Sequence, residues 1–221
     1  MTVASKSRMS PGLRMLVWAV IAAPLGYLVG KVLASTEDAG LWTAPDLGWS
    51  DGLALFLGLL MLLVGLVTIG VSTSRKLLGR QVDPERGAPV SREQAGFYAL
   101  SGWVLVLAAV MMAAPVAVRV AFDPVPPMIA SATMIGLIAL FLVQTASNIT
   151  LWLRSDELMR KATAEICALT FVILQGALFL WAAGETLDLL PALTLWDAVS
   201  VMMTAYLLIA VVITWRRGLA S

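Results

Sequence analysis

Six apolar runs, each of about 20 residues, dominate this sequence. An α-helix rises about 1.5 Å per residue, so about 20 apolar residues cross the ~30 Å hydrocarbon core of a bilayer. The runs cover residues 13–33, 53–72, 95–118, 128–153, 162–183 and 196–215. They lack the polar and apolar alternation that is typical of membrane barrel strands. We therefore predict an all-α fold over residues 1–221, a polytopic integral membrane helical bundle with six transmembrane helices.

The composition agrees with a bilayer as the solvent for most of the chain. Hydrophobic residues make up 60% of the sequence and charged residues 13%, whereas a soluble domain is about 25% charged. A net charge of +1 leaves no basic excess to neutralise phosphates, so a nucleic acid is not an expected partner. Without histidine and with one cysteine, the chain lacks the commonest metal ligand and general base. We predict no catalytic residue, no metal site and no cofactor.

The distribution of basic residues predicts how the chain is threaded through the membrane. With a cytoplasmic N-terminus, thirteen bases fall on the cytoplasmic side, and only Lys31 and Arg119 fall on the other. Short cytoplasmic loops carry such an excess of Lys and Arg. We therefore expect both termini in the cytoplasm and the protein in a bacterial cytoplasmic (inner) membrane.

The first run admits a second interpretation. Its basic start and the small residue Ala34 at its end are compatible with a cleavable signal peptide, which would leave five spans. Lys31 argues against cleavage, because a cleavage region is normally neutral. The orientation of the other five spans is the same in both cases.

Most charges have a structural explanation at helix ends. Acidic residues begin five spans, among them Asp51 at the second and Asp197 at the sixth, and basic residues end five, which is the arrangement that complements the helix dipole. Ser91 and Gln94 have the spacing of a capping box at the third span. Ser155, ahead of Asp156 and Glu157, is expected to be the N-cap of the fifth span.

Three polar residues within the spans are candidates for function. Glu165 follows Glu157 and Lys161 at four-residue spacing, about two turns inside the helix that begins after Ser155 and near the start of its apolar run. It either completes this ladder at the interface or handles a proton or cation deeper in the membrane. Gln144 and Asn148 share one face of the fourth span, where they either hydrogen-bond a neighbouring helix or line a small polar cavity.

A short segment carries a resemblance. Asp156, Glu157, Leu158, Met159 and Arg160, followed by Glu165 and an apolar helix, are similar to the DExxR segment of small bacterial multi-span membrane proteins of unknown function. The resemblance implies that the segment opens a membrane helix after a short cytoplasmic turn. It implies no activity.

Three classes of function remain. We expect a non-catalytic membrane module, such as a scaffold, accessory subunit or regulator, rather than a carrier that uses Glu165 with Gln144 and Asn148, or an enzyme acting on lipid. Its partner face would combine the basic cytoplasmic linker 73–94, predicted to be flexible and able to touch anionic headgroups, with Asp156, Glu157, Arg160 and Lys161. The expected partners are the lipid bilayer and a membrane or cytoplasmic protein.

Overall fold

The computed structural model describes residues 47–82 and 88–218, so the predicted span 13–33 lies outside the described residues. All regular secondary structure within these ranges is helical. The helices are α1 (Trp49–Ser72), α2 (Arg75–Val82), α3 (Arg92–Ala121), α4 (Pro127–Arg154), α5 (Glu157–Thr186) and α6 (Leu195–Arg216).

Five of these helices, α1 and α3 to α6, are long and apolar enough to cross a membrane. They coincide with the last five apolar runs of the sequence, and the all-helical prediction is confirmed for the described residues. The helices extend beyond the apolar runs, and α5 begins at Glu157, five residues before the predicted start. Polar residues can continue a helix past the apolar region because they cap its free backbone groups in the wetter layer.

Local sequence explains where several helices begin. At α3, the Ser91 Oγ accepts from the Gln94 N–H at 3.0 Å, and the Gln94 Oε1 accepts from the Ser91 N–H at 3.3 Å, which confirms the predicted capping box. Thr194 and Asp197 form a second capping box at α6, with bonds of 3.1 and 2.9 Å. Each box satisfies two backbone groups that the first helical turn leaves free.

The tightest helix pair in the described bundle is formed by α1 and α3, which run antiparallel. A Cβ atom added to Gly65 would lie 2.8 Å from the Gly102 carbonyl oxygen, and one added to Gly58 would lie 3.2 Å from the Ala109 carbonyl oxygen. Side chains this small let two membrane helices approach until their backbones touch. The main apolar core is built around this crossing and contains Ala54, Leu57, Met61, Ala108, Ala109, Met112 and Val116.

The predicted flexible linker contains a helix instead of being irregular throughout. In α2, Leu78 and Gly79 are buried, and Leu78 packs with Val90 and Ala95. The Arg75 Nε donates to the Val90 carbonyl at 2.7 Å, while the Val90 N–H donates to the Arg75 carbonyl at 3.1 Å. The lack of a side chain at Gly79 is what lets the Ala88 backbone lie against α2.

The remaining helices are added on two sides of the α1–α3 pair. Helix α6 contacts α1, and α5 packs against α6 through Ala162, Ile166 and Ile213, with Tyr206 beside them. Helix α4 packs extensively only against α3 among the described helices, and none of its residues is buried. From one side of the described bundle to the other, neighbouring helices therefore follow the order α5, α6, α1, α3, α4.

We name each end of the described bundle after one residue that lies there, Asp51 or Arg154. The Asp51 end contains the starts of α1, α4 and α6 and the ends of α3 and α5. The Arg154 end contains α2, the ends of α1, α4 and α6, and the starts of α3 and α5.

Candidate functional site

The DExxR segment forms a turn that closes two helices at the Arg154 end. The Asp156 Oδ1 accepts from the Met159 N–H at 2.7 Å and caps the start of α5. The Arg160 Nε and Nη2 donate to the carbonyls of Trp152 and Leu153, at 3.1 and 3.0 Å, and close the end of α4. Both side chains therefore satisfy backbone groups that helix ends leave free.

The N-cap of α5 is Asp156, so the prediction of Ser155 at this position was wrong. The Ser155 Oγ instead donates to the Leu151 carbonyl at 2.8 Å, and Ser155 is the C-cap of α4. The turn between the two helices is so short that adjacent residues cap different helices. A carboxylate is also the stronger acceptor for the free N–H groups.

Glu165 is paired with Arg217 and not with Lys161. The Glu165 Oε2 accepts from the Arg217 Nε at 3.0 Å and also from its Nη2. The Lys161 Nζ lies 2.9 Å from the Glu157 Oε1, in a pair that is largely exposed. Packing of Ile166 against Ile213 brings the C-terminus of α6 beside Glu165. The pair thus ties α5 to α6 at the Arg154 end, and its two side chains remain 38% and 31% exposed.

Gln144 and Asn148 lie on the outermost of the described helices. Gln144 is half-buried, whereas Asn148 is exposed. Helix α4 packs against α3 and α5 packs against α6, and no hydrogen bond among the described residues joins either amide to the Glu165 carboxylate. Neither amide side chain forms a hydrogen bond with any other described residue.

A buried polar cluster lies at the Asp51 end, where the sequence pattern predicted only helix-dipole roles, for Asp51 and Asp197. Its members are Ser50, Asp51, Asp197 and Ser200, none of which is more than 7% exposed. Ser50 and Asp51 belong to the first turn of α1, and Asp197 and Ser200 belong to the first two turns of α6. The sequence contained a signal that Asp51 is buried. Asp51 stands three residues before Ala54 and seven before Gly58, so the three share the face of α1 that packs against α3.

The Asp51 carboxylate joins the start of α1 to the end of α3. Its Oδ2 accepts from the Gly48 N–H at 2.9 Å and from the Arg119 guanidinium. The Asp51 side chain is 5% exposed, whereas that of Arg119 is 54% exposed. The buried carboxylate is thus neutralised by a base that keeps much of its contact with the surroundings, which lowers the cost of burying the pair.

Asp197 and Ser200 join α6 to α1 in the same layer. The Asp197 Oδ2 accepts from the Thr194 N–H at 2.9 Å, and the Ser50 side chain faces this carboxylate. The Ser200 hydroxyl, which is fully buried, donates to the Ser50 carbonyl at 3.4 Å. The Trp196 Nε1 is buried nearby in sequence and has no hydrogen-bond partner among the described residues. Chemically, the cluster is a polar link among α1, α3 and α6.

The described ranges contain no group of three or more His, Cys, Asp or Glu residues that could hold a metal ion. Comparisons with models of known protein families, with curated proteins and with solved structures found no match to this chain. The resemblance of the DExxR segment therefore stays a prediction, although its position at the start of an apolar helix is now described.

Proposed function

We propose that the protein is a non-catalytic module of a bacterial cytoplasmic membrane, a scaffold, accessory subunit or regulator that binds a partner protein through a basic cytoplasmic face. It crosses the membrane six times, with both termini and the Arg154 end in the cytoplasm. In addition to the five described helices, the first run of the chain, 13–33, spans the membrane and is retained instead of being cleaved. The partner has an acidic surface that complements this face.

The charge difference between the two ends carries this proposal. Among the described residues, the Arg154 end holds nine bases and four acids, whereas the Asp51 end holds one base and five acids. The one base at the Asp51 end, among the residues that the structure describes, is Arg119. This distribution supports a cytoplasmic Arg154 end because short cytoplasmic loops are enriched in Lys and Arg.

Part of this basic charge is available to a partner. Four of these bases are engaged within the chain, in bonds to backbone carbonyls or in ion pairs, namely Arg75, Arg160, Lys161 and Arg217. Five other bases at this end are exposed, and no described carboxylate lies within salt-bridge distance of them. They are Lys76, Arg80, Arg92, Arg154 and Arg216.

The roles of the polar residues favour a module over a carrier. Asp156 and Arg160 cap helices, and Glu165 is held by Arg217 near the end of the bundle. A carrier that used Glu165 with Gln144 and Asn148 would need these groups around one pathway. Helices α4 and α5 instead pack against different neighbours.

Purification of tagged protein in a mild detergent tests the proposal. We expect a stoichiometric partner protein to be recovered with the wild type. The double variant Lys76→Gln/Arg80→Gln should lose the partner, and so should the wild type at high salt, because screening weakens contacts between exposed charges. The matched control Asp123→Asn/Asp188→Asn neutralises two exposed charges at the Asp51 end and should retain it. Recovery of no partner, or equal recovery with both double variants, would contradict the proposal.

A further inference from the structure

Arg75 joins the start of α2 to the residues that lead into α3. Its Nε donates to the Val90 carbonyl at 2.7 Å, and the Val90 N–H donates to the Arg75 carbonyl at 3.1 Å. The two residues are 15 positions apart, so both bonds depend on the folded chain and not on the geometry of one helix. Arg75 thus differs from Lys76 and Arg80, the other two bases of α2, for which no described carboxylate lies within salt-bridge distance.

The burial of Leu78 and Gly79 fixes which side of α2 faces the bundle. Leu78 is 4% exposed and packs with Val90 and Ala95. A Cβ atom at Gly79 would overlap the Ala88 carbonyl, so the backbone at Ala88 lies directly against α2. A side chain at position 79 must therefore push α2 away from this backbone, because a backbone group cannot swing aside as a flexible side chain can.

The same geometry turns two exposed bases away from the bundle. An α-helix advances about 100° per residue, so Lys76 and Arg80, which stand two positions before and after Leu78, each lie about 200° around α2 from it. The two bases therefore share the face opposite the buried side, about one helical turn apart.

The sequence of α2 is a poor helix former on its own. Isolated helices shorter than about 12 to 15 residues are marginal in water, and α2 has eight residues, none of them acidic. Gly79 in its interior lowers the helix propensity. Lys76 and Arg80 repel each other at a spacing of four. The order of α2 before a partner binds therefore depends on the contacts of Arg75, Leu78 and Gly79.

We propose that Arg75 and Gly79 are positioning residues of the basic face. They hold α2 helical before binding, so that Lys76 and Arg80 are presented together to the acidic surface of a partner protein. This inference rests on the proposed function and names residues that set the affinity of that contact. A binding element that is already ordered loses less conformational entropy when the partner docks, so the complex is tighter.

Hydrogen exchange of the full chain in detergent, without a partner, tests whether these residues hold α2. The backbone amides of residues 78–82 should be protected in the wild type, and Gly79→Ala should raise their exchange rates roughly 10-fold or more while the amides of α1 and α3 keep theirs. Arg75→Lys retains the charge but lacks the guanidinium Nε, and it should act in the same direction. The matched control Gly70→Ala should change nothing, because nothing lies within 4 Å of the added atom.

Exchange in the wild type as fast as in an unstructured peptide would overturn the proposal. Protection of α2 that survives Gly79→Ala unchanged would do so too.

The dissociation constant of the partner protein recovered with the wild type tests the effect on binding. Gly79→Ala retains every charge but should raise this constant roughly 3- to 30-fold. In the Gly79→Ala background, Lys76→Gln/Arg80→Gln should cost less further affinity than in the wild type, because both changes act through α2. Additive losses would contradict the positioning role. Protection of α2 that depends on Gly79, in a chain that recovers no partner, would reject the proposed function and leave the positioning of α2 in place.

Discussion

The Asp51 carboxylate is buried at the start of α1 and pairs there with Arg119, which lies at the end of α3. Asp51 was expected to complement the dipole of α1, and it does stand in the first helical turn. Its burial and its contact with Arg119, 68 positions away, follow from the approach of α3. No local spacing contains that information. Glu165 likewise carries the expected ion pair, but the partner comes from the end of α6 and not from the same helix.

The two members of the Asp51–Arg119 pair should differ in their sensitivity to substitution. Arg119→Met leaves a buried carboxylate whose one remaining partner among the described residues is the Gly48 N–H, and we expect a loss of about 1 to 3 kcal/mol in unfolding free energy. Asp51→Asn keeps an acceptor for that N–H and leaves only a half-exposed base, so its cost should be within about 1 kcal/mol. Thermal unfolding in detergent measures both variants. Equal losses would show that the asymmetry in burial has no energetic consequence.

Substitution of Glu165 tests whether its ion pair with Arg217 has only a structural role. The pair with Arg217 is partly exposed, so Glu165→Gln should reduce stability by only about 0 to 1 kcal/mol. Arg217→Gln should have a similar effect, and the double variant should cost less than the sum of the two. A clear increase in stability in Glu165→Gln alone would contradict the interfacial role and favour a functional carboxylate.

At the scale of helices, apolar runs and caps predicted most of what the structure contains. Runs of about 20 apolar residues are strong signals because few other structures can accommodate them. Helix α2 was missed because eight residues with three bases among them have no such signal. It is stabilised by burial of Leu78 and by the bonds between Arg75 and Val90, contacts that only the folded loop provides.

The close crossing of α1 and α3 predicts that substitution by alanine changes stability differently at Gly65 and at Gly70, both of which lie in α1. A Cβ at Gly65 would lie 2.8 Å from a backbone oxygen of α3, so Gly65→Ala must separate the helices and should cost about 1 to 3 kcal/mol. At Gly70 nothing lies within 4 Å of the added atom. Gly70→Ala should therefore be neutral or stabilising by up to about 1 kcal/mol, because Ala is the better helix former. Melting curves of the two variants should separate clearly, and coincident curves would contradict the close crossing.

At the scale of the whole molecule, the two ends of the described bundle differ in charge. This difference supports both the proposed topology and the proposed partner surface. The described helices alternate direction and leave most bases at the Arg154 end. A bilayer would hold the acidic Asp51 end and the basic Arg154 end on opposite sides. The basic end would then be the surface that a cytoplasmic partner meets. The fold class could be predicted from the sequence, whereas the polar cluster that joins α1, α3 and α6 could not, because its members come from distant turns.

Labelling from outside intact cells tests the orientation, and with it the central claim, most directly. Single cysteines at Ala88, beside α2, and at Thr186, at the end of α5, are introduced after Cys167→Ala. Both positions are exposed. A membrane-impermeant maleimide should label Thr186→Cys in intact cells and Ala88→Cys only after the membrane is permeabilised. Labelling of Ala88→Cys in intact cells, with Thr186→Cys protected, would place the basic end outside and contradict the account.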